Sequence, residues 1–194
     1  MQTDFDLIVI GAGSAGLAAA RFAAQLGVRV ALVERDQVGG DCTWNGCVPT
    51  KALLHAAHVV HQARAASSFG LPGATGPANL SRVLDHVHAA VRRVAALESP
   101  EVLSQEGIDV RYGNAQFLDP HTIDVAGRQI TSRRFIICTG AEPATPPIAG
   151  LAETPYCTYR DILRVQQLPQ HCWCLEQDPW ASSWRRRIDA SALG

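Results

Sequence analysis

The first third of the chain alternates short apolar runs with one longer segment of different composition. Residues 5–10 and 28–33 are mostly apolar, and each run has the length of a buried strand. Between them, residues 14–26 are rich in alanine and leucine, and Gly27 follows as a helix stop. This pattern predicts a strand–turn–helix–strand arrangement of about 30 residues, as expected of a βαβ unit.

The remainder of the chain shows two further helical segments and then several short strands. A loop rich in glycine and proline, residues 67–77, separates the two helices, and the second helix has an apolar face. Helices are predicted over 50–66 and 80–97, an antiparallel meander over 109–117, 122–125 and 129–130, and another buried strand over 134–138.

Composition narrows the class of protein. The chain has 194 residues, a net charge of −1 and 47% hydrophobic residues, which suffices for one globular domain with a core. A charge near zero gives no electrostatic footprint for nucleic acid, and no apolar run approaches the roughly 20 residues that span a bilayer. The N-terminus lacks the basic-then-apolar order of a signal peptide. We therefore expect a soluble, cytoplasmic protein with no nucleic-acid or membrane partner.

A glycine pattern occupies the turn between the first predicted strand and helix. Residues 11–16 read Gly-Ala-Gly-Ser-Ala-Gly, which matches G-x-G-x-x-G, and Glu34 ends the second strand at the expected distance. A carboxylate at that position can accept hydrogen bonds from a ribose hydroxyl. The alternative is a plain βαβ turn with a surface glutamate. The pattern predicts a dinucleotide site but does not separate FAD from NAD.

Each position of the glycine pattern has a physical task in such a site. Gly11 permits the tight turn, Gly13 lets the backbone approach a pyrophosphate, and Gly16 lets the helix pack close to the strand. The N–H groups at the start of the helix, around Ser14 and Ala15, would bind the phosphate. These five residues are the predicted phosphate cradle.

A cysteine pair follows the second predicted strand. Residues 39–51 read Gly-Gly-Asp-Cys-Thr-Trp-Asn-Gly-Cys-Val-Pro-Thr-Lys, so four residues separate Cys42 from Cys47. The pair lies where a glycine-rich loop meets a long helix, and the positive end of a helix dipole can lower a thiol pKa. A thiolate is the species that disulfide exchange requires. The spacing therefore indicates a redox-active pair.

Two other interpretations of the cysteine pair remain. The cysteines could be unrelated, or they could bind zinc, which usually takes four ligands in two close pairs. A second cysteine pair is missing, and a zinc site would need histidines from the following helix. Those histidines are spaced by three and are more typical of a solvated stripe: His55, His58 and His61.

The cysteine segment resembles the active-site signature of the flavoprotein disulfide reductases. This family includes dihydrolipoamide dehydrogenase, glutathione reductase and mercuric reductase, and the Asp-Cys-Thr-Trp version most resembles the mercuric-reductase-like branch. Residues 136–143, Ile-Ile-Cys-Thr-Gly-Ala-Glu-Pro, resemble a second family stretch that contacts FAD, with Cys138 in place of the usual alanine. The resemblance covers residues 4 to about 171. It implies an α/β fold: a Rossmann-like, three-layer FAD/NAD(P)-binding domain with a parallel sheet between helices and a small β-meander, incomplete at the C-terminus.

The resemblance also implies residue roles. Cys42 would be the outer thiol that exchanges with substrate, Cys47 the inner thiol against the flavin, and Lys51 a group near the flavin N5 that stabilises negative charge. Electrons would pass from NAD(P)H through FAD to the Cys42–Cys47 disulfide, and then to a small-molecule disulfide or a metal ion. No resident metal is expected. The implied FAD-binding residues are Gly11, Gly13, Ser14, Ala15, Gly16, Glu34, Gly40, Asp41, Cys42, Lys51, Thr139 and Gly140.

The family pattern stops after His171. Residues 172–194 contain three of the four tryptophans and an Arg-Arg-Arg run, where a strand and a second glycine pattern are expected. We hypothesise a reading-frame shift near His171, because the shifted frame can encode Leu-Leu-Val followed by such a glycine pattern. Residues 1–171 would then be the first segment of the FAD domain, and 172–194 an aberrant tail.

A chain that holds only the first segment of the FAD domain would have a limited function. Family members have an NAD(P) domain, a returning FAD segment and a C-terminal dimer domain. We therefore expect a fragment that binds FAD weakly, is inactive alone and does not form the family's homodimer. A non-catalytic dinucleotide-binding or redox-sensing module, and a zinc-binding structural domain, are the alternatives.

Overall fold

The computed structural model describes residues 3–165 and Leu175, and it contains six strands and five α-helices in that part of the chain. The strands are β1 (Phe5–Ile10), β2 (Val30–Glu34), β3 (Ile108–Tyr112), β4 (Ala115–Asp119), β5 (Thr122–Val125) and β6 (Arg128–Ile137). The helices are α1 (Ser14–Gln25), α2 (Gly40–Trp44), α3 (Cys47–Ala65), α4 (Leu80–Leu97) and α5 (Pro100–Gln105), and single 3₁₀ turns cover Ala66–Phe69 and Ile162–Arg164.

All six strands form one sheet in the order β3-β2-β1-β6-β5-β4. Strands β3, β2, β1 and the second half of β6 are parallel, with Ile8 opposite Ala31 on one side and Phe135 on the other. Parallel strands need crossover connections, which place helices against the sheet. Helix α1 provides the first of these crossovers, between β1 and β2.

Helix α1 covers one face of the parallel strands. Its buried positions Leu17, Ala20 and Ala23 pack against Val9 and Leu32, which alternate with residues of the opposite face along their strands. Small alanines bring the helix axis close to the sheet. Full burial of each large apolar side chain in this layer contributes about 1.5–3 kcal/mol to the free energy of unfolding.

The antiparallel strands cover the other face. Strand β6 is ten residues long: its first residues pair with β5 and its later residues pair with β1, so it belongs to both halves of the sheet. Ile123 and Val125 of β5 pack against Ile8 and Val33 of the parallel strands. The predicted three-layer arrangement, with helices on one face and a meander on the other, is confirmed.

The strand boundaries differ from the prediction in two places. The predicted strand 109–117 is divided at Gly113, whose φ of 146° turns the chain, and whose N–H donates to the Glu34 carbonyl at 2.8 Å. Its first half is β3, a parallel partner of β2, and only its second half joins the meander. The predicted strands 129–130 and 134–138 are a single strand, β6, because Ser132 between them is fully buried in the sheet.

The helices match the prediction where they are long. Helix α4 has the predicted bounds, and α3 begins at Cys47, three residues before its predicted start. Helices α2 and α5 were missed, because five or six residues are too few to show a periodic pattern. The start of α5 did carry a local signal: Ser99 caps it by accepting from the Val102 N–H at 3.4 Å, and Pro100 follows in the first turn.

Within the described residues, no helix combines the length and apolar character needed to cross a bilayer. The predicted tail 172–194 and the frame-shift hypothesis fall outside the described residues, apart from the single position Leu175.

Candidate active site

The glycine turn between β1 and α1 is close-packed at two of its three glycines. Gly11 has a φ of 99°, and a Cβ atom there would overlap the carbonyl group of Cys138 at the end of β6. A Cβ atom at Gly16 would overlap the carbonyl oxygen of Gly11, so only glycine lets α1 begin this close to the turn. Both glycines are therefore explained by contacts within the protein.

Gly13 is different, because no protein atom requires a glycine there. Its φ of −78° suits any residue, and a Cβ atom would meet only the Cα atom of Gly40, at 3.9 Å. The missing side chain leaves room beside the start of α1. This is what a cofactor that approaches the backbone closely would need.

The N-terminus of α1 presents uncapped backbone donors. Gly13 is the N-cap residue and no side chain caps the helix, while Ser14 and Ala15 are exposed. The first N–H groups of a helix have no intrahelical acceptor, and the helix dipole adds partial positive charge at this end. Together these features are suited to bind an anion.

Glu34 lies at the carboxyl end of β2 and is 9% exposed. Its carboxylate accepts hydrogen bonds from the N–H of Ala12 at 2.7 Å and of Asp36 at 2.8 Å. These bonds fix the side chain against the glycine turn. A carboxylate has about four acceptor positions, so two backbone donors leave capacity for ribose hydroxyls.

The cysteine-bearing helix packs directly on the glycine turn. Gly39 and Gly40 both have positive φ, 107° and 57°, and the Gly39 N–H donates to the Ala12 carbonyl at 2.8 Å. A Cβ atom at Gly40 would lie 2.7 Å from the Cα atom of Gly13. Because these glycines let two backbones touch, the predicted phosphate cradle and α2, which carries Cys42, meet in space.

Cys42 and Cys47 are both half-buried free thiols in the structure. Cys42 lies in α2 and Cys47 is the first residue of α3, after the N-cap Gly46. A hydrogen bond with Cys42, followed by burial, raises the pKa of the Cys47 thiol, and the charge of Lys51 opposes this rise. The pKa of the Cys47 thiol in the reduced pair is therefore raised, opposite to the predicted lowering, because the hydrogen bond with Cys42 and burial outweigh the charge of Lys51 and the backbone hydrogen bond at Cys47.

Further side-chain bonds hold α2 in place. The buried Thr43 hydroxyl donates to the Glu98 carboxylate at 2.8 Å, which ties α2 to the residue that ends α4. The indole N–H of Trp44 donates to the Val38 carbonyl at 2.8 Å. These bonds fix the helix on which Cys42 lies.

Asp41, immediately before Cys42, accepts hydrogen bonds from two residues distant in the sequence and from one nearby. Its Oδ2 accepts from the Tyr159 hydroxyl at 2.6 Å and from the Arg160 guanidinium at 3.2 Å, and its Oδ1 accepts from Asn45 at 3.0 Å. Burial of Asp41 opposes ionisation, but the bonds from Tyr159, Asn45 and Arg160 outweigh burial and lower its pKa. Asp41 is therefore a fixed anion.

A cavity of about 1080 Å³ lies between the glycine turn and helix α2, and residues of both line it. Cavities that take small molecules and cofactors typically measure about 300–1,000 Å³. Its wall contains most of the predicted cofactor residues, namely Gly11, Gly13, Ser14, Ala15, Glu34, Gly40, Asp41, Cys42, Thr139 and Gly140. Gly16, Cys47 and Lys51 do not line it, although Pro49, which lies between the last two in α3, does. The division into outer and inner thiol stays a prediction.

Several residues of the cavity wall were not predicted from the sequence. Part of the cavity wall comes from α4 and from the 3₁₀ turn near residue 163, neither of which carries a recognisable motif. The apolar face of α4 predicted burial but not the surface it would face. The main missed residues are Val87, His88, Val91, Arg92, Arg160, Leu163 and Arg164.

Among the described residues, no group of three or more His, Cys, Asp or Glu side chains could hold a metal ion. The helix histidines His55, His58 and His61 are exposed. The zinc interpretation of the cysteine pair therefore finds no ligand set in this part of the chain.

The chain is similar to known flavoprotein disulfide oxidoreductases, in agreement with the cysteine pair and the glycine turn of the candidate site. The family model described as pyridine nucleotide-disulphide oxidoreductase matches residues 5–174. A mercuric reductase of Staphylococcus aureus is 38% identical over 167 residues, which cover 86% of this chain and 30% of that protein. A glutathione reductase of Nostoc sp. is 33% identical over 88% of this chain and 37% of that protein.

A solved structure has the same fold. The HOCl-induced flavoprotein disulfide reductase RclA from Escherichia coli superposes with a TM-score of 0.69 at 29% identity, over 86% of this chain and 35% of that one. The chain thus spans about a third of the length of the relatives it matches.

Proposed function

This chain belongs to the pyridine nucleotide-disulphide oxidoreductase family of flavoprotein enzymes, and from that premise we propose that it binds FAD beside a redox-active Cys42–Cys47 pair. The observation that carries the proposal is the backbone contact between Gly13 and Gly40. This contact brings the glycine turn and helix α2, which carries Cys42, into the wall of one cavity. Electron transfer from bound FAD to the cysteine pair would require these two parts to lie together.

The residues of the cavity fit FAD. The uncapped start of α1, with Ser14 and Ala15, would hold the pyrophosphate, and the side-chain-free position Gly13 gives it room. Glu34 would accept from the adenosine ribose with its remaining lone pairs. Thr139 and Gly140, just after β6, would line the same cavity. Bound FAD supplies two-electron chemistry between a nicotinamide and the cysteine pair.

The cysteine pair would reduce a disulfide by two exchange steps. The Cys42 thiolate attacks one substrate sulfur, forms a mixed disulfide and releases the other sulfur as a thiolate, which takes up a proton. The Cys47 thiolate then attacks Cys42, releases the second substrate thiol and closes the Cys42–Cys47 disulfide. The substrate gains two electrons and the pair loses them. Lys51, whose charge favours the Cys47 thiolate, would assist the second attack.

Relatives suggest the substrate class. Those named mercuric reductase and glutathione reductase indicate a metal ion or a small disulfide as acceptor, and we propose one of these for the whole enzyme. NAD(P)H as electron donor and a homodimeric assembly are likewise proposed for the family architecture, since this chain covers about a third of its relatives. A cytoplasmic location is proposed because reducing compartments keep such thiols available.

FAD binding and disulfide formation together test the proposal. Purified protein should quench the fluorescence of added FAD saturably, and diamide oxidation should link the peptides of Cys42 and Cys47 in one intramolecular disulfide, read by mass spectrometry. Cys157→Ser, which removes an exposed cysteine outside the pair, is the matched control and should still form this disulfide. Cys42→Ser should not.

The possible results separate the functions. FAD binding without disulfide formation would indicate a dinucleotide-binding module instead of an oxidoreductase site. The absence of both FAD binding and the Cys42–Cys47 disulfide would refute the proposed function.

A further inference from the structure

An ionised carboxylate lies in the wall of the proposed cofactor cavity. Asp41 lines the cavity, its side chain is 38% exposed, and three side-chain donors fix it in position. A dinucleotide brings a pyrophosphate with two negative charges into the same cavity. Left alone, the Asp41 charge would repel that ligand, because like charges in one cavity interact strongly where water is partly excluded.

Arg160 provides the compensating charge. Its guanidinium binds Asp41 at 3.2 Å and the Ala141 carbonyl at 3.2 Å, and it lies 4.0 Å from the Glu142 carboxylate. Arg160 therefore connects the cysteine helix α2 to the loop after β6, which carries Thr139 and Gly140. It also lines the cavity itself.

We propose that Arg160 is a positioning residue for the cofactor: by neutralising Asp41 it makes the cavity wall acceptable to the pyrophosphate of a dinucleotide. This inference rests on the proposed function, since it assumes an anionic dinucleotide in the cavity. It places Asp41 beside the cofactor and not in direct contact with it, unlike the family resemblance, so the effect of Arg160 acts through Asp41 and removal of Asp41 should cancel it.

A rescue experiment distinguishes this effect from simple support of the fold. Arg160→Gln should weaken FAD binding about tenfold, equivalent to about 1.4 kcal/mol. The double variant Asp41→Asn with Arg160→Gln should bind FAD within about twofold of the wild type, because the repelling charge is gone. Fluorescence titration of the full chain measures each affinity, and the loss in Arg160→Gln should shrink in 0.5 M NaCl through ionic screening.

The chain offers a matched control. Arg21 has nearly the same side-chain exposure as Arg160, 32% against 33%, and likewise binds a carboxylate, Glu106, and a backbone carbonyl, Leu97. It does not line the cavity. Arg21→Gln should therefore leave FAD affinity unchanged.

Asp41→Asn alone covers the case in which Arg160→Gln does not fold, as judged by circular dichroism. It should bind FAD at least as tightly as the wild type, since Arg160 keeps its charge while the carboxylate charge is removed. Weaker FAD binding by Asp41→Asn, wild-type affinity in Arg160→Gln, or failure of the double variant to recover would each overturn the inference. A wild-type protein that does not bind FAD would instead refute the proposed function, and the inference with it.

Discussion

At the residue scale, the glycines of the turn have separate reasons for being glycine. Gly16 is required by the protein itself, since a Cβ atom would overlap the Gly11 carbonyl oxygen. Gly13 is not, since the nearest atom to a Cβ would be 3.9 Å away. The same motif therefore contains one position that packing within the protein requires to be glycine and one whose missing side chain leaves room for the proposed cofactor.

We expect Gly16→Ala and Gly13→Ala to separate these two roles. Gly16→Ala should lower the free energy of unfolding by about 1–3 kcal/mol or more, because the overlap forces backbone shifts. Gly13→Ala should cost about 1 kcal/mol or less, since alanine is only a poorer N-cap, and should mainly weaken FAD binding. Urea unfolding and FAD titration measure the two effects. Equal losses of stability in both variants would contradict the assignment.

The thiol pair gives a second prediction, on pH. The pKa of Cys47 is raised in the reduced pair, first by its bond with Cys42, so its alkylation rate should rise only above the pH at which an ordinary thiol reacts. Cys42→Ala should move this profile to lower pH. Lys51→Met should move it to higher pH, since the lysine charge favours the Cys47 thiolate.

Iodoacetamide alkylation, followed by mass spectrometry of the Cys47 peptide across pH, measures the profile. His55→Ala, on the same helix and one turn beyond Lys51, serves as the control and should leave the profile unchanged. A profile that stays in place in Cys42→Ala would show that the two thiols do not interact.

At the element scale, short elements are positioned by long ones. Helix α2 has five residues, too few to be stable alone, yet it carries Cys42 and Asp41. It is held by α4 through Thr43 and Glu98, and by the segment around residue 160 through Asp41. The positions of Cys42 and Asp41 thus depend on hydrogen bonds between α2 and residues elsewhere in the chain.

We expect Thr43→Val to test the connection between α2 and α4. The change preserves side-chain shape but removes the hydrogen bond to the Glu98 carboxylate, which should lower the free energy of unfolding by about 1.5–3 kcal/mol. Glu98→Gln keeps an acceptor and should cost less. Urea unfolding of both variants provides the measurement, and a neutral Thr43→Val would contradict this role.

At the scale of the whole molecule, long elements and local motifs were predictable, while strand pairing was not. The βαβ unit and α4 matched the prediction because each has a periodic pattern and a local boundary signal. The strand 109–117 was predicted as one piece, because the single glycine at position 113 does not by itself show that the two halves pair with different partners. Strand β6 was divided for the converse reason: Ser132 and two arginines interrupt its apolar pattern, although hydrogen bonds continue through it.

The sequence by itself determined the glycine turn, the cysteine pair and the alternation of strands and helices, because steric needs and periodicity act over a few neighbouring residues. Three features were decided only by the tertiary structure. Gly13 contacts Gly40, the bond with Cys42 affects the pKa of Cys47 more than the charge of Lys51 does, and Arg160 pairs with Asp41. The last pair is separated by 119 positions. Contacts of this kind arise when distant segments pack on the same sheet, and they leave no local pattern in the chain.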